Sequence, residues 1–123
     1  MNIILSNVSD DPIYLQIVNQ IKEQIITGQL TDDDPLPSIR NLARELNISV
    51  ITTKRAYEEL ERDGFIITVA GKGTYVAPVN REMLREGKLK MIEDKIAEAV
   101  RTAKHLGLTL DELQEMLRLL YEE

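Results

Sequence analysis

The sequence predicts a mainly α-helical fold with one small β-hairpin. Two amphipathic helical patterns follow each other closely, and each is opened by a serine, Ser38 or Ser49. A β-branched and aromatic run comes next, and it is interrupted at residues 71–73 by two glycines that permit a tight reversal. The chain then becomes charged and helical. This order predicts a winged helix-turn-helix at residues 1–78, followed by a C-terminal two-helix hairpin at residues 79–123.

Composition excludes several classes of function. The 123 residues contain no cysteine, which rules out disulfides and thiolate metal ligands, and the single His105 cannot form a multi-histidine metal site. No pairing of nucleophile and base and no phosphate-binding loop appears, so we expect neither an enzyme nor a cofactor. No stretch approaches the roughly 20 apolar residues of a membrane span, and the N-terminus does not resemble a secretion signal. We therefore expect a cytoplasmic protein without a membrane partner.

The net charge of −6 argues against a protein that coats nucleic acid without specificity. Neither predicted half is basic. Between residues 36 and 76, however, six basic residues meet five acidic ones, and most of the acids crowd the far end of one helix. A basic end that meets phosphate would still allow DNA binding, weak off target and strongly dependent on salt.

The first helix is expected to begin at Asp11 and Pro12, with an aspartate cap and a proline in the first turn, and to end at Gly28. Its apolar residues recur at helical spacing and predict one buried face, made of Tyr14, Ile17, Val18, Ile21 and Ile25. Residues 29–37 carry three aspartates and two prolines and predict a surface loop. We expect the aspartates at 32–34 to be solvated, and a metal site there is the less favoured alternative.

The second helix, from Ser38 to Leu46, separates an apolar face from a cationic face that carries Arg40 and Arg44. The third helix runs from Ser49 to Asp63, before Gly64. Its core-facing stripe is predicted to be Thr53, Ala56, Tyr57 and Leu60. The outward face is predicted to carry Ile51, Lys54, Arg55 and Glu58.

The strands of the hairpin are expected at residues 65–69 and 74–77, with Lys72 at the tip. From about residue 80 a helix of roughly 26 residues, or about 39 Å, is predicted, and Thr109 with Glu112 predicts a capping box for a final helix. Apolar residues in both helices recur in steps of three and four, which predicts a dimerisation seam. The seam residues are Leu89, Ile92, Ile96, Ala99, Ala103, Leu106, Leu110, Leu113, Leu117 and Leu120.

A helix that enters the major groove needs short side chains near its N-terminus and cations on its flanks. The second and third helices and the hairpin, which forms the wing of this fold, together satisfy this requirement. The predicted DNA-binding residues are Ser38, Arg40, Arg44, Ser49, Val50, Ile51, Thr52, Lys54, Arg55, Gly71, Lys72 and Gly73. Any one of the cations alone could equally be an ordinary solvated residue, but the set in this order favours DNA.

Several motifs now carry a family resemblance: LPSIR at residues 36–40, LAREL at 42–46, RAYEEL at 55–60, DG at 63–64 and GKGTYV at 71–76. The chain resembles the GntR family of bacterial transcriptional regulators, and its short helical tail resembles that of the YtrA subfamily. The resemblance implies a repressor that binds a palindromic operator as a homodimer through its tail. It also implies DNA contacts by Arg40, residues 49–52, Lys54, Arg55 and Gly71.

One segment departs from the family pattern. Many similar members have Asn-Pro-Asn-Thr where this chain has Ser-Val-Ile-Thr at residues 49–52, so amides that can contact bases are replaced by apolar groups. Val50 or Ile51 could contact a thymine methyl or pack against a neighbour, and the sequence leaves both open. An alternative function is a winged-helix dimerisation or adaptor module without DNA affinity. The operator, the sign of regulation and any small-molecule effector are not determined.

Overall fold

The computed structural model describes all 123 residues and divides into two compact units, residues 1–81 and 82–123, called here the N-terminal and C-terminal units. The helices are α1 (Ile13–Ile26), α2 (Ile39–Leu46), α3 (Val50–Arg62), α4 (Arg81–His105) and α5 (Leu110–Tyr121). The strands are β1 (Pro35–Leu36), β2 (Ile66–Val69) and β3 (Gly73–Val76). This architecture confirms the mainly helical fold with a small sheet.

The start of α1 differs from the prediction. Pro12 is the N-cap residue and no side chain caps the helix, so the predicted aspartate cap is wrong. The physical reason is that the Pro12 carbonyl accepts the first helical hydrogen bond, from the Gln16 amide at 3.1 Å, so Asp11 lies one residue before the N-cap position. The buried face of α1 is otherwise as expected, except that Gln16 joins it and Tyr14 is only half-buried.

Helices α2 and α3 form where the two serines predict them. Ser38 Oγ accepts a hydrogen bond from the Asn41 amide at 3.1 Å, and Ser49 Oγ accepts one from the Thr52 amide at 3.0 Å. Asn47 ends α2 in the left-handed conformation, with φ of 55°, a region that asparagine tolerates better than most residues. These local contacts produce the short turn between the two helices.

The sheet contains one strand more than the sequence predicts. β2 and β3 form the expected antiparallel hairpin, with Val69 opposite Gly73, but β1 lies in the segment expected to be loop. It pairs with β3 and gives the order β1-β3-β2. Asp33 and Asp34 extend this pairing through two 2.9 Å backbone hydrogen bonds with Val76. A strand of two residues shows no periodicity, so the sequence could not reveal it.

The N-terminal unit has a continuous core in which α3 contacts both α1 and α2 as well as β2. Its buried apolar residues come from every element of the unit and the adjoining loops. They are Ile17, Val18, Ile21, Ile25, Leu30, Leu36, Leu42, Ala43, Ala56, Tyr57, Leu60, Phe65, Ile66, Val76 and Ala77.

The C-terminal unit is built almost entirely from α4 and α5. Thr109 and Glu112 form the predicted capping box at the start of α5. Ala103 is the only buried residue of this unit, while most of the large apolar residues of both helices are exposed. None of the helices, α4 included, combines the length and apolarity required to span a membrane.

Candidate DNA-binding surface

The orientation of α3 determines which of its side chains reach the candidate DNA-binding surface. The predicted core stripe of α3 is at most 4% exposed at Thr53, Ala56, Tyr57 and Leu60. This burial directs Ile51, Lys54 and Arg55 outward, and all three are exposed. The predicted orientation of α3 is therefore confirmed.

Tyr57 fixes α2 relative to α3. Its hydroxyl donates a 2.7 Å hydrogen bond to the carbonyl oxygen of Pro37, the residue just before the N-cap of α2. Burial, with a further contribution from the charge of Glu45, raises the pKa of Tyr57 above its ordinary value of 10.0. The phenol therefore stays protonated at physiological pH and remains a hydrogen-bond donor.

The first turn of α3 uses its serine internally. Besides accepting from the Thr52 amide, Ser49 Oγ donates to Thr52 Oγ1 at 2.7 Å, and Thr53 Oγ1 donates to the Ser49 carbonyl at 3.1 Å. Ser38 Oγ caps α2 by accepting from the Asn41 amide. These two predicted site residues therefore hold the helix ends in place in the free protein.

Arg55 is held by an aromatic ring that lies outside the predicted site. Its guanidinium carbon lies 3.8 Å from the centroid of the Tyr14 ring on α1. A guanidinium that stacks through its face keeps its N–H groups at the edge available to an anion. Helical spacing predicts Tyr14 on the core stripe of α1, and no local pattern reveals its partner because the two residues lie on different helices.

Most of the predicted cations have no acidic partner. Arg40, Arg44, Arg55 and Lys72 are exposed and form no salt bridge. Lys54 is the exception, since its Nζ lies 3.8 Å from Glu58 Oε1, with both side chains more than 60% exposed. A surface pair of this kind is weak. The site therefore presents cations that need not break a strong ion pair to meet phosphate.

The wing is a tight hairpin with Lys72 at its tip. Gly71 and Gly73 have φ values of 75° and 123°, which an L side chain rarely adopts. The Lys72 amide donates to the Val69 carbonyl at 3.0 Å, and the Tyr75 hydroxyl donates to the Lys72 carbonyl at 3.0 Å. The backbone of the tip is thus held while the lysine side chain is exposed.

Two of the aspartates at residues 32–34 form contacts within the N-terminal unit. Asp32 pairs with Arg81 at 3.3 Å, and Asp34 accepts hydrogen bonds from the amide and hydroxyl of Thr31, which lower the pKa of its carboxyl. Arg81 also donates to the carbonyls of Ile25 and Leu30. The structure contains no cluster of three or more residues able to hold a metal ion.

The fold and this surface define a winged helix-turn-helix protein, and comparison with known proteins identifies its family. The model of the family described as bacterial regulatory proteins, gntR family, matches residues 13–76. The HTH-type transcriptional repressor YtrA of Bacillus subtilis (strain 168) is 38% identical over 110 residues, which span 89% of this chain and 85% of that protein. The chain belongs to the GntR family and is a DNA-binding transcriptional regulator. The proteins it matches are transcription regulators and not enzymes.

Solved structures agree with this assignment. A transcriptional antiterminator from Listeria monocytogenes EGD-e is 33% identical and superposes with a TM-score of 0.71 over 100% of this chain and 91% of its own. The DNA-binding domain of AraR in complex with operator ORX1 is 28% identical, with a TM-score of 0.53 over 60% of this chain and 92% of its own. In that relative, the shared fold binds operator DNA.

Proposed function

We propose that the chain is a repressor that binds a palindromic operator as a homodimer and inserts one α3 helix from each protomer into the major groove. The observation that carries this proposal is the set of exposed cations on α2, α3 and the wing, of which only Lys54 has an acidic partner, and that pair is weak. Repression is the activity named for the YtrA relative. Because the proposed ligand is operator DNA, we propose a cytoplasmic location.

The contacts divide by chemistry. We assign phosphate contacts to Lys54 and Arg55 on α3, with Arg40 and Arg44 of α2 on one side and the wing lysine, between its two glycines, on the other. Residues 49–52 form the first turn of α3 and approach the base edges. Their amide groups at the positive end of the helix dipole also favour phosphate. Residues 1–78 are thereby the proposed DNA-binding domain.

The C-terminal unit supplies the argument for a homodimer. Leu89, Ile92 and Ile96 of α4 and Leu110, Leu117 and Leu120 of α5 are each 49% to 69% exposed in the single chain. Within the unit, α4 and α5 line an apolar groove with Ala99, Ala103, Leu106, Leu108, Leu113 and Met116. Two helices of this size bury too little surface to be stable alone. A second copy of residues 79–123 would cover both stripes at once, since each repeats in steps of three and four.

A two-fold dimer implies a two-fold operator. Half-sites about one helical turn apart, roughly 34 Å between centres, are the expected geometry. The test is fluorescence anisotropy of the full chain with duplexes tiled upstream of its own gene at two salt concentrations, together with sedimentation to determine the oligomeric state. We expect tight, salt-sensitive binding of a dimer to one tile.

Two substitutions connect this binding to the proposed surface. Arg40→Ala and Arg55→Ala are each expected to weaken operator binding by about 1–3 kcal/mol, without loss of helix content in circular dichroism. Arg101→Ala, an exposed arginine of the C-terminal unit without a salt bridge, is the matched control and should leave affinity unchanged. A dimer that binds no tile at either salt concentration would favour the adaptor alternative.

A further inference from the structure

The most exposed apolar side chain of the proposed DNA-binding surface is that of Ile51, at 80% exposure, and Val50 beside it is 47% exposed. This exposure argues against one of the two roles that the sequence left open for Ile51, packing against a neighbour, because most of the residue lies in solvent. Large apolar groups are disfavoured in water. An isoleucine in solvent at the start of the proposed recognition helix is therefore free to gain an apolar partner in the complex.

The position of Ile51 on α3 indicates where that partner lies. Lys54 and Arg55 follow it by three and four residues, so all three side chains are neighbours on the outward face. The core stripe of α3 lies on the opposite side. If the two cations meet phosphates, as the proposed function requires, Ile51 lies between them and one turn nearer the helix N-terminus, the part of a recognition helix that contacts bases.

Few hydrogen-bonding side chains remain in this turn. The hydroxyl protons of Ser49 and Thr53 are already donated to Thr52 Oγ1 and to the Ser49 carbonyl. Val50 and Ile51 have no polar side-chain atoms. The half-buried Thr52 hydroxyl is the one side-chain donor left among residues 49–53. Discrimination of bases by this turn must therefore depend largely on apolar contact.

We propose that Ile51, flanked by Val50, recognises the 5-methyl groups of thymine in each half-site of the operator. Among the four bases, only thymine presents a methyl group in the major groove. An apolar side chain can contact this methyl without leaving a polar atom unpaired. The inference rests on the proposed function, because it requires α3 to enter the groove. It adds a chemical basis for sequence preference in a segment where this chain lacks amides.

The test replaces thymine by uracil, which removes the methyl and leaves the pairing edge unchanged. Duplexes that bind the full-length chain are first selected from a random library, and each thymine of the selected half-sites is then replaced singly by deoxyuridine. We expect at least one position in each half-site at which uracil weakens binding about fourfold, the ratio that corresponds to about 0.8 kcal/mol for one buried methyl-sized group. Replacement at both symmetric positions should weaken binding about tenfold or more.

Variants assign the effect to a residue. Ile51→Ala should bind the thymine and uracil duplexes equally, whereas Lys54→Ala should weaken both by the same factor and retain the difference. Val8→Ala is the matched control, since Val8 is a β-branched residue with 94% exposure outside the proposed surface. It should behave as the unaltered chain does.

The outcomes separate this inference from the proposed function. Tight binding of a selected duplex with no uracil effect at any position would overturn the inference and leave the function standing. A uracil effect that persists in Ile51→Ala would assign methyl recognition to another residue and would also overturn it. A chain that enriches no duplex would overturn the proposed function, and the inference with it.

Discussion

The two units of this protein treat apolar surface in opposite ways. Every buried apolar residue except Ala103 lies in the N-terminal unit, whereas the helices of the C-terminal unit leave long apolar stripes in solvent. The N-terminal unit also holds the segment before α1 through side-chain hydrogen bonds from that helix. The first unit thus has a core within one chain, and the exposed stripes of the second support the proposal that a second copy covers them.

The segment before α1 shows how thoroughly the N-terminal unit is paired. Gln16, Gln20 and Gln24 are spaced four apart on α1, and their side-chain amides hydrogen-bond to the backbone of alternate residues in the preceding segment. Gln20 both accepts from the Ile4 amide at 2.8 Å and donates to the Ile4 carbonyl at 2.7 Å. No comparable network exists on the apolar faces of α4 and α5.

The largest expected effect comes from placing a charge on the apolar stripe of the C-terminal unit. Leu117 is 56% exposed in the single chain, so Leu117→Glu should not unfold a protomer. In the proposed dimer the carboxylate would be buried without a partner, at a cost of several kcal/mol. We expect the dimer dissociation constant, measured by sedimentation equilibrium, to rise at least about 100-fold.

The control for this change lies on the same helix. Leu119 is similarly exposed, at 61%, but lies outside the leucine stripe of α5. Leu119→Glu should therefore leave the dimer intact. Equal dissociation in both variants would indicate a different interface, and no dissociation in either would contradict the proposed role of the C-terminal unit.

Truncation of a buried side chain tests whether the N-terminal unit has its own core. Leu60 is fully buried on α3, so Leu60→Ala should lower the free energy of unfolding by about 2–5 kcal/mol in urea denaturation. Leu89→Ala, made in the monomeric Leu117→Glu background, should change it by less than about 0.5 kcal/mol, because Leu89 is half exposed there. Similar losses at the two positions would contradict the contrast between the units.

The glutamine contacts predict an intermediate effect. Gln16 is 7% exposed and bonds both the amide and the carbonyl of Ser6, so Gln16→Leu leaves backbone groups without partners. We expect a loss of about 1–3 kcal/mol in unfolding free energy and faster hydrogen exchange at the Ser6 amide. Gln24→Leu, which removes one exposed bond to Asn2, should cost less. An unchanged exchange rate at Ser6 would show that the segment is held by other contacts.

The smallest expected effect concerns the stacking of Arg55 on Tyr14. Tyr14→Leu removes the ring and should weaken operator binding by about 0.5–1 kcal/mol, whereas Tyr14→Phe keeps the ring and should retain affinity. In the Arg55→Ala background, Tyr14→Leu should have no further effect on anisotropy titrations. An undiminished effect in that background would mean that Tyr14 contributes to binding independently of Arg55.

Local chemistry explains which predictions were correct. The serine caps, the capping box and the hairpin glycines act within three or four residues of themselves, so their partners can be identified along the chain. The predicted aspartate cap was wrong because either Asp11 or Pro12 could have been the N-cap residue. In the structure the N-cap residue is Pro12. β1 was missed because its two residues form a strand only through pairing with β3.

The sequence by itself determined the order of helices and strands, the buried face of α3 and the cations that surround it, because each follows from side-chain periodicity and capping. It also showed two apolar stripes in the last two helices. Only the tertiary structure brought Tyr14 against Arg55 and placed three glutamines along the N-terminal segment. These contacts depend on how separate elements pack together, and such packing leaves no periodic signal in the chain.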